Sequence, residues 1–153
     1  MRQLTATLLI LIAFSALAAA DDSLVAGRAA LDRRDSDQAI AQFEKAVAQK
    51  PNSSEAHYYL GVAYAQKAET ANMLSQMSLI KKAKEEWTRA VELDPNSFNA
   101  RLRLIEFYAG APAMVGGGED KAMEQAAEAK KHDALPILSW RMAVSTLLRK
   151  CKS

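Results

Sequence analysis

Few residues in this 153-residue chain are able to do chemistry, and their spacing points away from catalysis. The two histidines, His57 and His132, stand 75 positions apart, and neither belongs to a recognisable ligand or nucleophile motif. The single cysteine, Cys151, has no second thiol with which to form an internal disulfide. The carboxylate pairs Glu85-Glu86 and Glu119-Asp120 read as a solvated helix face and as first-turn charges that favour the helix dipole. The stretch Ala111-Pro112-Ala113-Met114-Val115-Gly116-Gly117-Gly118 has two readings. Free backbone N–H groups ahead of a helix at Lys121 could hold an anion or a peptide carboxylate; alternatively the glycines serve a turn that needs positive φ. It is not a phosphate loop, because no Gly-Lys-Ser/Thr follows. These residue types imply no enzyme, no metal site and no cofactor. They leave binding by tyrosines and arginines, the commonest anchors of interfaces.

Which of those side chains face outward depends on the elements that carry them, and the chain writes those elements more than once. Ala39, Phe43, Ala46, Pro51, Leu60 and Tyr64 are separated by gaps of 4, 3, 5, 9 and 4. Ala83, Trp87, Ala90, Pro95, Leu104 and Tyr108 repeat those gaps 44 residues later. An eroded third copy runs Ala122, Ala126, Ala129, Ala134, Ala143 and Leu147. Apolar residues recur at a period near 3.6 within each copy, which predicts amphipathic helices. Asp35 with Gln38, Asn52 with Glu55, and Asn96 read as helix N-caps. The helices stop before Pro51 and Pro95. Gly27 precedes Ala39 by 12 residues, whereas Gly61 precedes Ala83 by 22. The extra ten, near Ala65 to Leu79, contain no proline or glycine and predict lengthened helices around a displaced turn. Met73, Met77 and Met123 fall at helical spacing and read as core.

A glycine, an alanine twelve residues on, then an aromatic, an alanine and a proline at these gaps resembles the tetratricopeptide repeat. Gly27-Ala39-Phe43-Ala46-Pro51 matches without gaps. The second unit matches through Leu60, Gly61, Tyr64, Ala83, Trp87, Ala90 and Pro95 apart from the insertion, and the third keeps Leu104, Tyr108 and Ala122. The resemblance implies an all-α, right-handed α-solenoid of about three helix pairs, with a concave groove lined by the first helix of each pair. The expected groove residues are Arg28, Tyr58, Tyr59, Val62, Gln66, Asn99, Arg103 and Glu106, with an ordinary solvated face as the alternative. The family's two-carboxylate clamp of lysine, asparagine and arginine is present at most in part, since Leu24, Arg28, Tyr59, Asn99 and Arg103 hold the equivalent places. The alanine-proline and glycine stretch looks like a loop of many bacterial exported repeat proteins. Each pair leaves an apolar face that only its neighbour can bury, so Phe43 and Trp87 are expected in the core.

The two ends read differently. Met1 to Ala20 carries Arg2, then an uncharged apolar run from Leu4 to Leu17 and small residues, the layout of a cleaved signal peptide; a retained anchor is the alternative. Losing Arg2 lowers the formal charge from +2 to +1, so there is no electrostatic case for nucleic acid or an acidic membrane surface. The expected organisation is a leader at 1–20, a repeat domain at 21–134 in units of about 22–53, 54–97 and 98–134, and a helix at 135–153. That last helix, with Trp140, Ala143, Val144, Leu147 and Leu148 on one face, would cap the stack. A competing reading starts from His132-Asp133-Ala134-Leu135-Pro136-Ile137, which one frame of a common sequencing-library adapter encodes; residues after about 131 would then not be native. The expected function is a non-enzymatic adaptor in the bacterial periplasm or outside the cell, binding a protein or peptide. A self-assembling component and a small-ligand binder are the alternatives.

Overall fold

Several helix ends fall where the sequence supplies a cap or a breaker. The computed structural model describes residues 21–131, which contain helices and turns and no strand. Helix α1 covers residues 21–32. It closes through Arg34, whose φ of 58° is left-handed. The Arg34 N–H donates to Leu31 O and the Asp35 N–H to Ala30 O, both at 2.9 Å, the double bond that seals a helix end behind a left-handed residue. Helix α2 (Ser36–Gln49) starts at Asp35, whose side chain accepts from the Gln38 N–H at 3.1 Å. Helix α3 spans Ser54–Ala68, α4 Met73–Leu93, α5 Phe98–Gly110 and α6 Glu119–Lys131, with a short 3₁₀ helix at Ala113–Val115.

The caps after the prolines are serines, one residue beyond the asparagines expected from the sequence. Ser53 caps α3, accepting from the Ala56 N–H at 3.2 Å, and Ser97 occupies the same place before α5 without a side-chain bond. The reason is a turn: the Ser53 N–H donates to Lys50 O and the Ser97 N–H to Asp94 O. Proline and asparagine fill its two central positions, which moves the cap on by one. Pro51 and Pro95 are themselves exposed, so they act as helix stops at the surface and not as core.

The ten-residue insertion becomes helix and a displaced turn. Measured from the repeat markers, seven residues extend the start of α4, two extend the end of α3, and one lengthens the turn between them. Asn72 caps the long helix, accepting from the Ser75 N–H at 3.0 Å.

Successive helices pack on one another from α2 to α6, a one-dimensional stack in which neighbours hide each other's apolar faces. Phe43, Leu60, Tyr64, Trp87 and Leu104 are buried, as are Ala39, Ala46, Ala83 and Ala90. In each of the first two units a glycine admits the aromatic. A Cβ on Gly27 would lie 2.5 Å from Phe43 Cε1, and one on Gly61 would lie 2.5 Å from Trp87 Nε1. The third unit has no such aromatic on α6; Ala122, Ala126 and Ala129 are buried instead, and Tyr108 is half-buried edge-on to Phe107.

The leader, the fourth and later markers of the third copy, His132 with the adapter-like segment, and the C-terminal helix all lie outside the described residues. Among the described residues no helix is long and apolar enough to cross a membrane.

Candidate functional site: a cleft on the face of the odd-numbered helices

Helices α1, α3 and α5 meet side by side through polar and aromatic contacts. The Arg28 guanidinium lies 5.1 Å from the centre of the Tyr59 ring. Tyr59 stacks on Phe43 at 5.5 Å and meets Tyr58 edge-on at 5.0 Å. The Gln66 amide donates to Leu31 O at 3.3 Å and accepts from the Ser36 hydroxyl at 3.0 Å. Arg103 donates to Glu106 Oε2 at 3.0 Å. Burial alone would lower the Arg103 pKa, but Glu106 and the Tyr58 hydroxyl outweigh it and push it up, so the guanidinium stays charged.

The expected groove residues therefore divide between two hollows. Tyr58, Tyr59 and Asn99 line a recess of about 250 Å³ at the N-terminal ends of α3 and α5. Val62, Gln66, Arg103 and Glu106 line a cleft of about 700 Å³ farther along. Arg28 lines neither and covers Tyr59.

Two walls of the larger cleft come from the places where the chain departs from its own repeat. Met73 and Met77, from the extended start of α4, and Ile80 just beyond it form one wall, and Pro112, Met114 and Val115 form another. The methionines read as core are corrected here: Met73 is 78% exposed and Met123 46%, while Met77 is half-buried. The first turns of α4 run past the length of α2, the equivalent helix of the first unit, so Met73 stands at the mouth of a hollow. The signal was present in the sequence as an insertion free of breakers beside a breaker-rich loop.

The three glycines spend their N–H groups inside the turn: Gly116 N–H donates to Ala113 O, Gly117 N–H to Pro112 O and Gly118 N–H to Tyr108 O. Gly116 has φ of 95°, and a Cβ on Gly117 would fall 1.8 Å from Ala111 O. Lys121 adds a bond to Gly116 O at 3.3 Å and sits over the Tyr108 ring.

Glu86 is corrected too. It is half-buried, and its Oε2 lies 2.6 Å from Nδ1 of buried His57, whose Nε2 lies 3.0 Å from Pro51 O. The third unit repeats the device with other side chains. Arg101 donates to Pro95 O at 2.9 Å and to Gln125 Oε1 at 3.3 Å. Counting from the repeat markers, His57 corresponds to Arg101 and Glu86 to Gln125, and Ser23 is their equivalent in α1. Ser23, His57 and Arg101 are the buried polar side chains of the described residues. His57 and Arg101 each tie a first helix to its unit, and among the described residues no group of His, Cys, Asp or Glu able to hold a metal ion stands beside the His57 pair. Burial lowers the Arg101 pKa, against the pull of Glu128.

The tetratricopeptide repeat model matches residues 24–72. That match assigns residues 24–72 to the tetratricopeptide repeat family. The solved structure titled TPR2B-domain:pHsp70-complex of yeast Sti1 shares its fold with a TM-score of 0.63 at 18% identity, covering 88% of this chain and 96% of that one. No curated protein matches in sequence. The shared fold thus accounts for the stacked pairs, while the cleft's outer walls come from the lengthened start of α4 and from the loop after α5.

Proposed function

We propose that the chain is a non-enzymatic protein-interaction adaptor of the bacterial cell envelope, holding a partner protein or peptide on the face formed by α1, α3 and α5. The observation that carries this reading is the open cleft of about 700 Å³ beside α3 and α5, apolar on its walls and bounded by the arginine and glutamate pairs Arg34–Glu69 and Arg103–Glu106. Concave sites of this size with a few convergent polar groups are where ligands bind. The neighbouring structure supports a protein ligand, since its title describes a complex with pHsp70. Export rests on the leader pattern of Met1 to Ala20.

The test is affinity purification of the full chain from the envelope fraction of its native cells, beside an Arg28, Tyr59 and Arg103 triple-alanine variant checked for native helicity. Loss of a specific partner by the variant is the expected result. Retention of every partner overturns the groove assignment, and recovery of the chain in the cytoplasm overturns the envelope assignment.

A further inference from the structure

We propose that the cleft between α3, α4 and α5 takes an amphipathic helix from the interior of a partner protein, apolar face inward; this rests on the reading that the odd-numbered face binds protein. The wet rims select an occupant larger than the cleft itself. Met73 and Met114 line the cleft yet are 78% and 75% exposed. A small ligand enclosed between the walls leaves those rims wet, whereas a helix, about 10 Å across, lies along the cleft and covers both. Charge selects an apolar face. Arg34 is held by Glu69 at 3.1 Å and Arg103 by Glu106 at 3.0 Å, so the four charged side chains of the lining cancel in pairs. A lining with no net charge complements an apolar surface and offers no net cation to a terminal carboxylate or a phosphate.

Hydrogen bonding selects a helix over an extended strand. An extended peptide needs donors and acceptors along its whole backbone, but Gln66 is engaged by Ser36 and Leu31 and both arginines by their carboxylates, which leaves the single amide of Gln76 on the lining, too few groups for a strand. A helix satisfies its own backbone and presents side chains at i, i+3, i+4 and i+7. Methionine walls suit it, because unbranched, polarizable side chains remould around such knobs.

The experiment places a photo-crosslinking amino acid at Met73, at Met114 and, separately, at Tyr59 in the full chain, expressed in its native cells. Crosslinked partner peptides are sequenced by mass spectrometry. Positions 73 and 114 are expected to capture one internal segment with apolar residues at helical spacing. A synthetic peptide of that segment should gain helicity on titration with the protein. Its affinity should fall about tenfold or more against Met73→Ser with Met114→Ser, two exposed sites whose change leaves the fold intact. Capture of a C-terminal tail, an extended segment, a second copy of this chain or a small amphiphile overturns the proposal. Capture at Tyr59 with none at 73 or 114 overturns it while leaving the broader reading in place. No capture at any position overturns both.

Discussion

At the scale of single residues, identical substitutions separate packing from conformation. Gly61 faces Trp87 so closely that a Cβ would sit 2.6 Å from its Cδ1 and 3.0 Å from Ala83 O. The ring is locked in the core and the carbonyl is backbone, so Gly61→Ala is expected to cost about 1–3 kcal/mol. Gly110, the last residue of α5, has nothing within 4 Å of a built Cβ. Gly110→Ala is therefore expected to be neutral or to gain up to about 1 kcal/mol, and urea unfolding of the two variants reads both signs. Arg34 gives the opposite lesson. It is left-handed without being glycine, which costs an ordinary residue about 1 kcal/mol, and its exposed pair with Glu69 returns little. Arg34→Gly is expected to raise the urea midpoint, corresponding to about 1 kcal/mol; a fall would mean that the ion pair outweighs the backbone strain. Sequence alone marked Gly27 and Gly61 through their distance from Ala39 and Ala83. It gave no sign of Arg34, because a helix closed by a left-handed residue looks like any polar turn unless that residue is glycine or asparagine.

At the scale of elements, the ties between helices decide what each substitution loosens. His57 joins α3 to α4 through Glu86 and to the α2–α3 turn through Pro51 O. Truncating it strands a half-buried carboxylate and a carbonyl, so His57→Ala is expected to cost about 2–3 kcal/mol. Its counterpart Arg101 explains why this pair was hard to read: the partners are Glu86 and Gln125, 29 and 24 residues away, and the insertion in the second unit hides the common register. The helices themselves were legible from period and breakers, since those act locally, whereas the cleft required knowing that α4 begins seven residues early. Tyr64 supplies a second tie, its hydroxyl donating to Glu44 Oε1 on α2 at 2.8 Å. Burial first, then that bond and the charges of Glu44 and Glu86, raise its pKa above the ordinary phenol value. The stability linked to it is fully present below the unfolded pKa of about 10 and drains away as pH climbs further, because the unfolded chain gives up its proton before the folded one does. Wild type should therefore lose urea stability more steeply than Tyr64→Phe between about pH 9 and 11. Tyr108, also raised by burial and Glu124, leaves the variant some residual slope.

At the scale of the whole molecule, a stack of this kind has no single centre, and its stability is a sum over neighbouring interfaces. The α3–α4 interface is the most extensive of those from α2 to α6, and the α4–α5 interface is the thinnest among successive helices. Trp87 lies in the first and Phe43 on the side of α1 and α2. Among the described residues the buried face of α6 is alanine (Ala122, Ala126 and Ala129), which buries less apolar area and so contributes less. Opening free energies should grade accordingly. Native-state hydrogen exchange is expected to find the slowest amides in α3 and in α4 from Ala83 onward. Those in α6 and in the first two turns of α4 should exchange about tenfold faster or more. Trp87→Ala, a loss of about 3–5 kcal/mol, should collapse protection in α3 and α4 together and change α6, which lies beyond the thin α4–α5 boundary, far less. Uniform loss across all helices would mean that the domain opens as one unit. Graded loss would mean that the methionine wall of the cleft belongs to its loosest part, where a surface can remould around a partner at small cost to the stack behind it.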